Sequence, residues 1–257
     1  AKAIYNPVNN LEDWERLSEP DEEKLRKRIR ALREPVKKLK DRGYFVTMEG
    51  KGAFEATWML FRGFENTLMD IVLNPERVKK MSERAVNAII KLGLMVKEEC
   101  EVDGIWITDD LGAQKAPYFS PQQYRQIFKE NHRKMVEAFK KAGLKVTFHS
   151  HGNIMPLFQD LVEVGFDSID PLDSYDGMDF PALKKEFGEA VTLKGGISCT
   201  IGQMNKEELK EHIGEAVKIG GDRRFILSGA GGVPPEMTLE NFNHYRELIY
   251  KARRSEL

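Results

Sequence analysis

From residue 44 onward, short apolar runs alternate with longer segments whose apolar residues recur every three or four positions. The short runs, 44–48, 104–108, 144–149, 166–170, 190–196 and 224–227, have the length and the β-branched or aromatic content of buried strands. The longer segments, about 54–70, 75–100, 121–141, 155–164, 180–187, 205–219 and 238–253, have the period of amphipathic helices. Asn74-Pro75, Ser120-Pro121 and Asn205 are start signals, because a short polar side chain accepts from the first free N–H groups and proline fits the first turn. Before residue 44 the pattern predicts a charged helix over 24–40 behind Asp21, read as a solvated face. A short helix within 11–17 and a short strand at 2–8 complete that region, with turns at Asn6-Pro7 and Asn9-Asn10.

Strands separated by helices pair in parallel through right-handed crossovers. The strands read as continuous apolar runs, the pattern of strands buried on both faces. Each ends in small and polar residues, which favours an α/β fold of the (β/α)8 TIM-barrel type, whose chemistry sits at the C-terminal strand ends. An open doubly wound sheet is the alternative, but no G-x-G-x-x-G follows an early strand. A closed barrel needs eight strands and six are found, so the first two strands of the barrel are expected to be lacking. The expected division is an irregular and helical segment, 1–43, followed by a barrel domain, 44–257.

Composition narrows the partners. A net charge of -1 gives no general attraction to nucleic acid or anionic membrane. No apolar run is long enough to span a bilayer, and two cysteines, Cys100 and Cys199, make no disulfide framework. A cytoplasmic protein acting on a small molecule is expected. The unpaired edges of an incomplete sheet also lead to the expectation of a homodimer.

One rim of such a barrel would collect Glu49, Asp109, Asp110, His149, His151, Asp173, Cys199 and Ser228. His149 and His151 are two residues apart, and an extended chain points both to one side. With Asp173 and Cys199 they make a candidate tetrahedral zinc set. Asp109, Asp110 and Glu49 are candidate catalytic carboxylates, and Ser228-Gly229 opens a glycine-rich turn whose N–H groups could cradle an anion. Each has a plainer reading: a Glu49–Lys51 ion pair, a backbone-capping aspartate, an Asx-turn at Asp173 and an inert buried thiol.

Thr108-Asp109-Asp110-Leu111-Gly112-Ala113-Gln114, Phe119-Ser120-Pro121 and His149-Ser150-His151-Gly152-Asn153 resemble the uroporphyrinogen decarboxylase superfamily. So do Tyr175-Asp176-Gly177-Met178-Asp179, Leu193-Lys194-Gly195-Gly196-Ile197 and Val233-Pro234-Pro235-Glu236 with Glu240-Asn241. The resemblance implies a (β/α)8 barrel and one of two activities. One branch decarboxylates uroporphyrinogen. The other uses zinc to move a methyl group from a corrinoid protein to a thiol such as coenzyme M. The Asp-Asp-Leu-Gly and Gly-Met-Asp segments look more like the methyltransferase branch. That branch carries a cysteine where this chain has His151 and another in the loop after the last strand, where Ser228–Gly232 has none. Asp173 and Cys199 are the substitutes by position. Decarboxylation in porphyrin metabolism is the alternative, although that branch's arginine-rich motif has no match before Tyr44 and Ala230 replaces its histidine. A third reading is a truncated, non-catalytic ligand-binding barrel.

Overall fold

The computed structural model describes residues 13–18 and 20–257. The expected strand at 2–8 and the turns beside it lie outside the described residues. Within 11–17 a 3-10 turn spans Asp13–Arg16. The sheet strands are β1 (Thr47–Lys51), β2 (Gly104–Thr108), β3 (Lys145–His149), β4 (Ser168–Asp170), β5 (Thr192–Ile197) and β6 (Phe225–Gly229). They form one sheet in chain order, and the registered pairs are parallel. No helix among the described residues is long and apolar enough to cross a membrane.

The chain divides into two compact units. The first comprises the described residues of Ala1–Leu111 with Tyr118–His149 and Gln159–Phe166, and so holds β1 to β3. In register, Glu49, Trp106 and Thr147 lie side by side, followed by Lys51, Thr108 and His149. The intervening Ile105, Ile107, Val146 and Phe148 are fully buried. Each strand therefore presents one apolar face and one polar face. The expectation of strands apolar on both faces is corrected here, because Glu49, Lys51, Thr108, Thr147 and His149 take the other face. Phe54 anchors that core, meeting Phe119 and Phe128 edge-on with ring centroids 5.2 and 5.6 Å apart.

Several expected boundaries move. β1 starts three residues later than the 44–48 run, since Tyr44 and Phe45 stand largely exposed while Glu49 and Lys51 take ladder positions. The single helix expected over 24–40 is two, Glu22–Arg30 and Arg33–Asp41. Its face is not simply solvated: Arg26, Arg30 and Arg33 all pair with the buried carboxylate of Glu99. The helix expected over 54–70 is broken into Ala53–Thr57, a π turn at Trp58–Arg62 and Phe64–Leu73. Gly63 makes the break with φ +79°, a left-handed value that glycine adopts at little cost. Pro75–Cys100 forms as one helix, ended by Glu101 in the left-handed conformation.

The second unit comprises Gly112–Pro117, Ser150–Phe158 and Asp167–Leu257, with β4 to β6. Ile197, Ile201, Leu209, Ile213 and Leu248 form a buried cluster in it. In β5 Leu193 is buried, while Lys194 on the other face pairs with Asp170 at 2.8 Å; β4 is buried along its whole length. Asn205 caps the helix Lys206–Gly220 through a reciprocal pair with Glu208.

Candidate functional site

In the first unit, the chemistry gathers where β1 and β2 end. Lys51, the last residue of β1, sits 3.1 Å from Glu49, 3.2 Å from Glu55 and 3.0 Å from the Thr108 hydroxyl. An ammonium has three N–H donors, so these three acceptors engage all of them. Glu49 is 54% exposed, so this pair alone adds little stability. Glu55 belongs to the first turn of Ala53–Thr57, and its side chain is only 13% exposed. Burial raises its carboxyl above the usual range, and the charges of Asp109 and Asp110 add to this while Lys51 opposes it.

Asp109 is fully buried. Its carboxylate accepts N–H donations from Phe54 at 3.1 Å and Glu55 at 2.5 Å, fixing the start of the helix after β1. The third partner is His132, whose Nε2 lies 2.7 Å from Asp109 and 3.2 Å from the Ala53 amide. The shorter contact makes Nε2–H a donor to the carboxylate. Nδ1 then accepts from the Tyr124 hydroxyl, 2.9 Å away. Burial holds that phenol well above its ordinary pKa, so it remains a donor. Gly52 completes the arrangement, because a Cβ there would overlap the Asp109 side chain. Asp109 thus acts on the backbone, while Asp110 beside it is exposed. The Asp109 amide donates to the His149 carbonyl at 2.8 Å, so those two residues share one end of the strands. The His149 ring meets Trp106 edge-on at 4.8 Å.

β3 ends at His149, and Gly152 turns the chain with φ +82°. The i, i+2 alternation therefore does not extend to His151, which belongs to the second unit. There His151 is 43% exposed, with Nδ1 3.9 Å from Asp176, whose carboxylate also accepts the Gly152 N–H at 3.1 Å.

Asp173 and Cys199 are brought together in the second unit. Asp173 accepts from the Tyr175 and Cys199 amides, both at 3.0 Å, joining the turns that follow β4 and β5. Burial alone would raise its carboxyl, but hydrogen bonds from Cys199, Ser198 and Tyr175 hold it below the usual carboxylate range. The Cys199 thiol is pushed up to about 11, first by burial and then by its hydrogen bond to Asp173. Ser198 caps the following 3-10 turn, and its amide donates to His212 Nε2 at 3.0 Å. Burial lowers the His212 pKa, keeping that nitrogen an acceptor. Ser228 and Gly229 lie within β6, and the next amide, from Ala230, is spent on the Ile197 carbonyl at 2.9 Å. That amide is not available to an anion.

The Cys199 thiol and the Asp173 carboxylate are hydrogen-bonded to each other. Among the described residues, no group of three or more His, Cys, Asp or Glu side chains is arranged to hold a metal ion. The arrangement does not fit the zinc centre implied by the resemblance, and no step below runs through one. The sequence reading takes Lys51 only as the ion-pair partner of Glu49 and leaves Glu55, His132 and Tyr124 in the first unit, and Ser198 and His212 in the second, unmarked. Lys51 and Glu55 carry a signal after all, an opposite-charge pair four residues apart beside a glycine-flanked strand end.

A parallel six-stranded sheet with intervening helices and polar residues at the strand ends defines a TIM-barrel-like α/β protein. The family model described as uroporphyrinogen decarboxylase (URO-D) matches residues 3–252. This chain belongs to that family. The structure is similar to that of a methyltransferase from Methanosarcina mazei, with a TM-score of 0.73 and 20% identity, covering 96% of this chain and 70% of that one. A weaker likeness, TM-score 0.42 at 13% identity over 71% of this chain and 72% of the other, is to an IolI protein with a bound zinc atom. No curated protein matches the chain in sequence.

Proposed function

We propose that this chain is a methyltransferase-like enzyme that moves a methyl group from a corrinoid, presented by a corrinoid protein, to a small-molecule thiol. The supporting observation is the likeness in fold to the Methanosarcina mazei methyltransferase, within a family whose model spans nearly the whole chain. In this reading the exposed carboxylates Glu49, beside Lys51, and Asp110, close enough to Glu55 to raise its carboxyl, orient the substrate, and Asp109 positions the backbone. Among the described residues β1 has a partner strand on one side, which supports assembly as a homodimer, measurable by sedimentation.

The test is anaerobic incubation with methylcobalamin and 2-mercaptoethanesulfonate. Loss of the methylcobalamin spectrum with an equal amount of methyl thioether is expected. The family description favours porphyrinogen decarboxylation as the second reading. Loss of carboxyl groups from uroporphyrinogen, with no thioether formed, would replace the first reading with the second.

A further inference from the structure

Transfer of a methyl group to a neutral thiol releases a proton, which a carboxylate can receive. We propose that Glu55 is the base that takes the thiol proton in the methyl transfer proposed above, on which this inference rests.

The neighbouring carboxyls are each suited to something else. Asp109 is sealed from solvent, and its oxygens already accept from two backbone amides and His132. Glu49 and Asp110 are exposed, open to water rather than held in a partly closed site. Glu55 lies between these extremes. Its side chain keeps an opening to solvent, and the Lys51 ammonium holds it at 3.2 Å. Its own amide is fastened to Asp109, so the residue cannot drift from the end of β1. A group of this kind gains basicity from partial burial while a cation preserves its charged form, the combination that suits a general base near neutral pH. In the second unit, Cys199 and Asp173 are committed to each other and provide no comparable acceptor.

The step balances without a metal ion on the thiol. The S–H bond breaks and its proton goes to the Glu55 carboxylate. The sulfur electron pair forms the new S–CH3 bond. The cobalt–carbon bond of the methylated corrinoid breaks with its pair left on cobalt, which is formally reduced by two electrons. The glutamic acid then returns its proton to water through the open side of the residue. Throughout, Lys51 keeps the carboxyl oriented and remains charged.

Glu55→Gln preserves shape and removes only the base. Rates are compared for wild type and E55Q with methylcobalamin and two acceptors, 2-mercaptoethanesulfonate and an arylthiol already ionised at neutral pH. With the alkyl thiol, E55Q is expected to fall by about 100-fold or more and to regain rate as rising pH ionises the thiol itself. With the arylthiol, which has no proton to give up, E55Q should run within a few-fold of wild type. Equal impairment with both thiols, or none with either, overturns the role of Glu55 while leaving methyl transfer standing. Wild type that turns over neither thiol overturns the methyl-transfer reading and the role of Glu55 with it. Circular dichroism of E55Q separates a missing base from a missing fold.

Discussion

The amide of Glu55 and the carboxylate of Asp109 meet at 2.5 Å, tying the first turn of the helix after β1 to the residue that follows β2. The aspartate that the sequence marks as catalytic therefore acts as the anchor for a glutamate that the sequence leaves unmarked. Asp109→Asn would turn an amide NH2 toward donors or leave one of them without an acceptor. A loss of about 2–4 kcal/mol in urea unfolding is expected, since a buried donor set would lose its charged acceptor.

The contacts behind Asp109 grade in the same way. Tyr124→Phe removes one hydroxyl from His132 and should cost about 1 kcal/mol. His132→Ala leaves both the Asp109 carboxylate and the Tyr124 hydroxyl buried with a partner missing, and should cost about 3–5 kcal/mol. Equal losses in the two variants would show that the aspartate does not depend on His132.

Alkylation of Cys199 reports the second unit. With its thiol pushed up to about 11, reaction with iodoacetamide should be slow at neutral pH and rise steeply only in strong alkali. Asp173→Asn removes a negative charge and a charged acceptor, both of which favour the protonated thiol. The alkylation profile should move to lower pH, stopping short of a free cysteine because burial remains. A profile unmoved by this change would leave burial as the whole cause.

Stability against pH should carry two opposite signatures. Asp160 is buried with Arg125 and Lys129, which hold its carboxyl below the usual range against the upward push of burial. Its contribution is fully present above the unfolded carboxyl pKa of about 3.9 and is lost as pH falls through the lower folded value. Asp160→Asn should cost about 1–3 kcal/mol at neutral pH and flatten the acid side of the curve. Glu55 has a raised folded pKa, so the folded state binds the extra proton and stability declines as pH rises from about 4.3 through the folded value. E55Q should remove that decline and melt higher than wild type at neutral pH. Thermal scans from about pH 2 to about 8 read both signatures.

Zinc gives the fifth prediction. Calorimetric titration of metal-free protein with zinc is expected to give no one-to-one isotherm at micromolar concentrations, because Cys199 and Asp173 satisfy each other. A one-to-one isotherm abolished by Cys199→Ser would mean that zinc breaks this hydrogen bond and recruits the thiolate.

Much of the architecture was legible from local signals. Asn74-Pro75 gave the start of the long helix, and the apolar run at Gly104–Thr108 coincided with β2. β1 was displaced because its aromatic lead-in looks more strand-like than Thr47–Lys51, whose charged residues occupy the polar face. The rule that equates a buried parallel strand with a continuous apolar run has no place for such a face. The site was less legible for a related reason. Glu55 in isolation reads as a solvated helix residue, and its burial depends on Asp109, 54 residues away. His132 likewise sits at the centre of a helical apolar stripe, and only the fold reveals that it faces a carboxylate.

The first turn of Ala53–Thr57 borrows its cap from far along the chain: Asp109 comes 55 residues after Phe54, and His132, which holds that aspartate, comes later still. During synthesis, this turn leaves the ribosome well before either partner exists. Such long-range closure slows ordering relative to a helix capped by its own neighbour. The end of β1 should accordingly be among the later parts of the first unit to acquire protection from hydrogen exchange. The polar residues at that strand end would then become organised only once the helix carrying His132 has been made.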